Sequence, residues 1–137
     1  MRNLSLFTVA AVASTMFLQG CAGVSSMESE DMASAPNHMF TASKVQVIDA
    51  TKSSIETLGY NFKNMKDADP TTEIYFSKPM SAFSWGEVGR IDVRSVGDAS
   101  TMVSIASEKR YQVQITGTSQ DEFSRKLFTE IQKELSK

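Results

Sequence analysis

Two residue types that often carry enzyme chemistry occur only once each in this 137-residue chain: Cys21 is the only cysteine and His38 the only histidine. A Ser-His-Asp or Cys-His arrangement needs a histidine held rigidly beside its nucleophile, and the Ser-rich, acidic stretch around His38 predicts no rigid partner. The same counts exclude an internal disulfide, a cysteine-rich metal cluster and a histidine-based zinc site. We therefore expect no enzyme activity, no metal and no cofactor.

The acidic and glycine-containing segments predict turns rather than ligand sites. Asp67 and Asp69, with Glu73 nearby, could begin a calcium loop, but the longer run of oxygen ligands and the internal glycine are missing. An Asp-Pro turn explains this segment better. Three glycines between residues 86 and 97 are not followed by the Lys-Ser/Thr pair of a phosphate loop.

One segment combines loop-forming residues with large apolar side chains: Lys78 to Gly89, with the sequence KPMSAFSWGEVG. Its Pro and Gly content predicts a loop, yet Met80, Phe83 and Trp85 are of types enriched at binding surfaces. Phe83 and Trp85 are two positions apart, so they point the same way in an extended segment. The segment either covers an open end of the core or contacts a protein partner, an apolar ligand or the membrane surface.

The first 21 residues have the layout of an export signal. Arg2 gives a positive start, and residues 4–18 are apolar or small, interrupted only by hydroxyl side chains. This run is too short and wrongly flanked for a transmembrane helix. It ends at Leu18 to Cys21, with the sequence LQGC, which resembles the lipobox of bacterial lipoproteins.

The lipobox resemblance implies that the chain is cut just before Cys21 and that the Cys21 thiol carries lipid. Acylation would explain a lone cysteine in an exported protein; the alternative is an ordinary secretory signal with a chance cysteine. Ala22 stands where an Asp would favour retention in the inner membrane, which implies an outer-membrane protein facing the periplasm. Several acyl chains anchor stably, because each buried CH₂ contributes about 0.8 kcal/mol.

The predicted mature chain has two parts. Residues 21–39 are small, Ser-rich and acidic, which predicts a flexible tether. Residues 40–137 have the size of a single domain. Without residues 1–20, which include Arg2, the chain has 13 Lys+Arg and 16 Asp+Glu, a net charge of −3. Since no basic run is present, nucleic acid is not expected as a partner.

Two amphipathic helices are predicted at the ends of this domain. The first runs from Ser43 to Leu58, with a capping box at its start and Gly59 as its stop. Its predicted apolar stripe consists of Val45, Ile48, Ile55 and Leu58, flanked by Val47 and Thr51. The second follows Ser119, and its stripe consists of Phe123, Leu127, Phe128, Ile131 and Leu135.

Four to five strands are predicted between the helices because apolar and polar residues alternate there. The segments are 60–62, 72–77, 87–96, 101–106 and, after a turn at 107–110, 111–115. Arg90, Asp92 and Arg94 are expected on the outward side. We predict an α+β fold with a single antiparallel sheet, one dry face covered by both helices and one wet face.

A lipobox, a tether and a helix–sheet–helix domain together resemble small α/β envelope lipoproteins, such as the BamC-type compact domains. The resemblance covers residues 40–137 as a pattern without a residue motif, so it implies a fold and not an activity. The leading hypothesis is a non-enzymatic interaction or structural module of the cell envelope, anchored through Cys21 and contacting an envelope protein. The alternative is a small domain that binds an apolar or envelope-derived ligand between helices and sheet.

Overall fold

The computed structural model describes residues 23–82, 86–109 and 118–137. These residues form one antiparallel sheet of five strands and two α-helices, which confirms the predicted α+β class. The helices are α1 (Lys44–Thr57) and α2 (Gln120–Leu135). The strands are β1 (Asn37–Phe40), β2 (Asn61–Ala68), β3 (Thr71–Lys78), β4 (Glu87–Gly97) and β5 (Ser100–Lys109). Their order across the sheet is β1-β5-β4-β3-β2.

Both helices pack on one face of the sheet, the helix face, as the sequence predicted. Alternate residues of β3, β4 and β5 point to this face and meet the buried residues of α1 and α2 in one apolar core. The central strands contribute Ile74, Phe76, Ile91, Val93, Val103 and Ile105. From α2 come Phe123, Leu127 and Ile131, at the predicted spacing.

Helix α1 begins and ends where its sequence indicates. The Ser43 side chain accepts a hydrogen bond from the Gln46 backbone N–H, and the Gln46 side chain accepts one from the Ser43 backbone, which completes the capping box. At the other end, Gly59 has a φ of +81°. The N–H groups of Gly59 and Tyr60 return to carbonyls of the last helical turn, a Schellman arrangement that only a left-handed residue permits without strain.

The buried face of α1 matches the predicted stripe except at its first position. Val45 is 69% exposed. The other predicted residues are buried or pack, partly buried, against the core: Ile48, Ile55, Leu58, Val47 and Thr51. The buried face also includes Ala50 and Ser54. Counting aliphatic residues could not find these two positions, because one is the small Ala and the other is the polar Ser.

The strands extend beyond their predicted bounds. Strand β2, predicted only over 60–62, has eight residues, all exposed, and forms one edge of the sheet. Residues 107–109, predicted as part of a turn, continue β5 instead, because they pair with β4. The predicted strand at 111–115 lies outside the described residues.

The N-terminal segment is the main correction to the sequence analysis. Residues 21–39 were expected to form a flexible tether, but the described part is packed on the domain. Two short 3₁₀ helices, Val24–Ser29 and Met32–Ser34, lie on the sheet face opposite α1 and α2, the outer face. Met27 is fully buried there against Tyr75, Val88 and Ala106. We call residues 24–34 the N-terminal cover.

Two consequences follow for the sheet. Strand β1 comes directly after the cover and pairs with β5, so part of the expected tether is an edge strand. The outer face, expected to be wet, is instead half covered, and Tyr75 and Arg90 on it are buried. Composition predicted disorder because few aliphatic residues are present; one methionine and the backbone pairing of β1 are enough to fix the segment in place.

Candidate functional site

The densest polar cluster of the described residues lies on the outer face, under the N-terminal cover, with Arg90 at its centre. The Arg90 Nε and Nη2 atoms donate to the two carboxylate oxygens of Asp92, at 2.7 and 2.9 Å. Nη2 also donates to Glu73 Oε1 at 2.8 Å, and Nη1 to the carbonyl oxygen of Glu28 at 3.2 Å. The cluster therefore ties β3 and β4 to the cover.

The charge balance of this cluster keeps Arg90 ionised although it is buried. Desolvation alone would lower the pKa of its guanidinium, but the hydrogen bond and charge of Asp92, and the charge of Glu73, raise the pKa above its usual value. The Tyr75 hydroxyl donates to Glu73 as well. Burial and this carboxylate raise the pKa of Tyr75, so its hydroxyl stays protonated. Arg90 thus has its donors engaged within the protein, which indicates a structural role.

A cavity of about 260 Å³ lies next to this cluster, between the sheet and the second 3₁₀ helix. Its polar walls are formed by Asn37, Thr71, Asp92, Arg94 and Ser104, and its apolar walls by Met32, Ala33 and Met102. The strands place these residues together because Asn37, Ser104 and Asp92 are paired neighbours across β1, β5 and β4. Met102, Arg94 and Thr71 form the adjacent row.

A second polar site is buried in the core of the helix face. The Glu87 carboxylate accepts hydrogen bonds from the Tyr60 hydroxyl and from the backbone N–H of Thr118, both at 2.8 Å. Burial and the neighbouring carboxylate raise the pKa of Tyr60. Tyr60 also packs against the rings of Phe76 and Phe123. Both carboxylate oxygens are satisfied and Glu87 is closed to solvent, so the pair connects β4 to the start of α2 rather than facing a substrate.

The residues singled out from the sequence are not brought together in the described parts of the chain. Met80 is 60% exposed. Phe83 and Trp85, the other two candidate contacts, lie outside the described residues, as does Cys21. The role of the 78–89 segment as a contact site or a cover of the core stays a prediction.

His38 belongs to β1 and not to a tether. Its ring lies 4.8 Å from the Phe40 ring and 5.4 Å from the Phe128 ring, measured between centroids. Within the described residues its side chain has no hydrogen-bond partner that could orient it as a base. The aromatic contacts explain its position as packing at the edge of the core.

Asp67, the candidate calcium ligand, has a structural role. It accepts hydrogen bonds from Thr72 Oγ1 and Lys44 Nζ, and both contacts hold its pKa below the usual value. Across residues 23–82, 86–109 and 118–137, no group of three or more His, Cys, Asp or Glu side chains could hold a metal ion. No helix in the same ranges is long and apolar enough to cross a membrane.

Comparisons with known proteins do not assign this chain to a family. No protein-family model matches the chain, and no curated protein matches it either.

Sequence reasoning missed the outer-face cavity. It placed Arg90, Asp92 and Arg94 on the outward side, which is correct for the sheet, but expected that side to be solvated. The signal that could have indicated the cavity is the repeat of charged residues on one side of a strand whose other side carries the core residues Ile91 and Val93. What the pattern cannot show is which segment covers them, because the cover comes from about sixty residues earlier in the chain.

Proposed function

We propose that this protein is a lipid-anchored lipoprotein of the outer membrane, facing the periplasm, that works as a non-enzymatic interaction module of the cell envelope. The observation that carries the proposal is the position of Cys21. It ends an export-type segment with the sequence LQGC, and only Ala22 separates it from Gly23, where the described domain begins. Lipid on Cys21 would hold the domain directly at the membrane.

The short connection between Cys21 and Gly23 limits how far the domain can lie from the membrane surface. Two residues span at most about 7 Å, even when fully extended. Since residues 24–34 pack on the outer face, the anchored domain has little freedom to move away from the lipid surface. Its partner should therefore be a protein that is itself at or in the membrane, rather than one reached through a long tether.

An exposed sheet edge supports the interaction role. All eight residues of β2 are exposed, and within the described residues its outer side pairs with no other strand. Unpaired N–H and C=O groups on such an edge can accept an extended segment of a partner as an additional strand. Lys63, where the pairing with β3 shifts, interrupts the edge and limits nonspecific association.

The anchor is tested by mass spectrometry of the protein isolated from its own membrane. We expect a mature N-terminus at Cys21 that carries acyl chains, and accumulation of uncleaved precursor for Cys21→Ser. Gln19→Ala provides the control, because it changes the same segment but keeps the thiol and should still be acylated. A mature protein with an unmodified Cys21, or with a different start, would contradict the proposal.

The interaction is tested by site-specific crosslinking in intact cells. A photoreactive residue at Lys63, on the exposed edge of β2, should give a defined adduct with a membrane protein. The same residue at Glu56, which is exposed on α1, is the matched control and should give none. Equal crosslinking at both positions, or none at β2, would argue against the edge as the contact surface.

The binding-domain alternative is supported by a different observation, the outer-face cavity. Its location differs from the one expected from the sequence, because the space between helices and sheet is filled by side chains that are almost entirely buried. The outer-face cavity offers a ligand site for this alternative. Its lining combines the charged Asp92 and Arg94 with the apolar Met32 and Met102, which does not suit a purely apolar ligand.

A further inference from the structure

We infer that the outer-face cavity binds a small zwitterion of amino-acid type, with its carboxylate on Arg94 and its ammonium group beside Asp92. The inference develops the binding-domain alternative and is independent of the lipid anchor. It depends on three observations about the cavity, made within the part of the chain that the structure describes: a guanidinium without a protein partner, a buried hydroxyl without a hydrogen bond, and lining charges of opposite sign.

Arg94 differs from Arg90 although both are on the outer face of β4. The Arg90 guanidinium donates hydrogen bonds to the carboxylates of Asp92 and Glu73 and to the backbone carbonyl of Glu28. Arg94 lines the cavity, and within the described residues it has neither a hydrogen bond nor an ion pair to its side chain. A guanidinium offers a planar fork of donors that matches a carboxylate. Arg94 is therefore available to bind the carboxylate of a ligand.

Ser104 supplies a second, independent observation. It is only 8% exposed, it lines the same cavity, and its hydroxyl has no hydrogen-bond partner among the described residues. A buried polar group without a partner costs about 1–3 kcal/mol. Native proteins leave few such groups unsatisfied. A polar ligand group in the cavity would satisfy the Ser104 hydroxyl.

The charges next to the cavity select the class of ligand. The two charged side chains that line the cavity are Asp92 and Arg94, one of each sign. A simple anion would bring uncompensated negative charge beside Asp92, and a simple cation would bring positive charge beside Arg94. A zwitterion leaves the balance unchanged. Both Asp92 oxygens accept from Arg90, but each has a further lone pair for an ammonium group.

The volume of the cavity and its lining residues narrow the class of ligand further. The volume of about 260 Å³ is below the range of about 300–1,000 Å³ that holds drug-sized ligands. Met32, Ala33 and Met102 give the cavity an apolar side, and methionine adapts to irregular shapes. An α-amino acid with an aliphatic side chain matches both the polar and the apolar walls.

The test uses the full-length chain in detergent and L-leucine as the probe. Nitrogen-15 NMR should show shifts of the Ala33 and Ser104 amide signals that saturate with added leucine. Leucinamide lacks the carboxylate and N-acetyl-leucine lacks the ammonium group, so each should bind at least tenfold more weakly. Arg94→Gln should weaken leucine binding at least tenfold, whereas Arg125→Gln, on the exposed side of α2, should leave the Kd unchanged.

Several results would overturn the inference. Absence of saturable shifts with millimolar leucine would do so, because the cavity would then hold only water. Equal affinities for leucine and for either capped analogue would contradict the pairing with Asp92 and Arg94. The capped analogues test the native chain, so the outcome does not depend on the folding of a variant. Cys21→Ser should bind leucine normally, which separates this inference from the proposed anchor.

Discussion

Two tyrosines in this domain are held in their protonated form by burial and by a neighbouring carboxylate. Tyr60 donates to Glu87 on the helix face, and Tyr75 donates to Glu73 on the outer face. Burial, followed by the neighbouring carboxylate, raises the pKa of both hydroxyls above the ordinary value of about 10. Ionising either tyrosine in the folded protein would place two negative charges next to each other away from water.

This arrangement predicts how stability depends on alkaline pH. Below about pH 10 the hydroxyls are protonated in both the folded and the unfolded chain, so their contribution to stability is fully present. Above that pH the unfolded chain loses these protons first, and the free energy of unfolding falls as pH rises. Urea unfolding at a series of pH values should show this loss, and Tyr60→Phe should reduce its slope. Normal titration of Tyr60 in the folded state, followed by phenolate absorbance, would contradict the prediction.

Gly89 allows β4 and Phe76 to come into close contact. A Cβ atom at this position would overlap the Phe76 ring and lie 2.8 Å from the Ala106 carbonyl oxygen. Since Phe76 is fully buried, its ring has no free space into which to move. We expect Gly89→Ala to cost about 1–3 kcal/mol, as overpacked cores do.

Gly97 in the same strand provides the matched control for this substitution. A Cβ there would meet only the Ser100 side chain at 3.8 Å, an ordinary contact. Denaturant midpoints should therefore fall clearly for Gly89→Ala and change little for Gly97→Ala. Similar midpoints for the two variants would mean that the close packing of Phe76 on β4 is wrong.

At the scale of single elements, α2 is held mainly by the residues at the centre of its apolar stripe. Leu127 is fully buried, whereas Phe128 is only partly buried and packs against His38 and Phe40. Leu127→Ala should cost about 2–5 kcal/mol. Phe128→Ala should cost less, because part of its ring is already in water. Urea midpoints will check this order, and a larger loss for Phe128 would show that the stripe is centred on it instead.

The elements that the sequence predicted well are those whose signal is local. Helix α2 has a cap, a long apolar stripe and favourable i,i+4 pairs, of which Glu122–Lys126 is present at 2.6 Å. In the central strands, the apolar residues that face the helices recur at every second position. In these segments the secondary structure follows from neighbouring residues in the sequence, so the predicted element and the observed element agree.

The elements that the sequence missed depend on distant partners. Strand β1 is four residues long, with three exposed, and it forms because β5 provides a pairing edge. The N-terminal cover depends on the fit of Met27 over Tyr75. For the candidate site, the outward direction of Arg94 could be predicted, but its cavity could not, since the walls come from four separate segments.

In the molecule as a whole, the sheet is covered on both faces, and this bears on how the proposed anchor would connect to the domain. Helices α1 and α2 cover one face, and the N-terminal cover lies on the other. A domain cut at residue 40 would lose β1, the cover and a wall of the cavity. The cover is therefore part of the folding unit, and the proposed lipid anchor at Cys21 would be joined to that unit rather than to a spacer.

The N-terminal cover can be tested through two methionines twelve positions apart. Met27 is fully buried against Tyr75, Val88 and Ala106, whereas Met39 is 51% exposed. If the cover is packed as described, Met27→Ala should destabilise the protein by about 2–5 kcal/mol, because it removes buried apolar contacts and leaves a space behind. Met39→Ala removes the same side chain from a largely solvated position and should change stability little. Urea unfolding of the full-length chain measures both. Equal, small losses of stability for the two variants would mean that residues 24–34 do not contribute to the fold. The segment before the domain would then be the flexible tether that the sequence predicted.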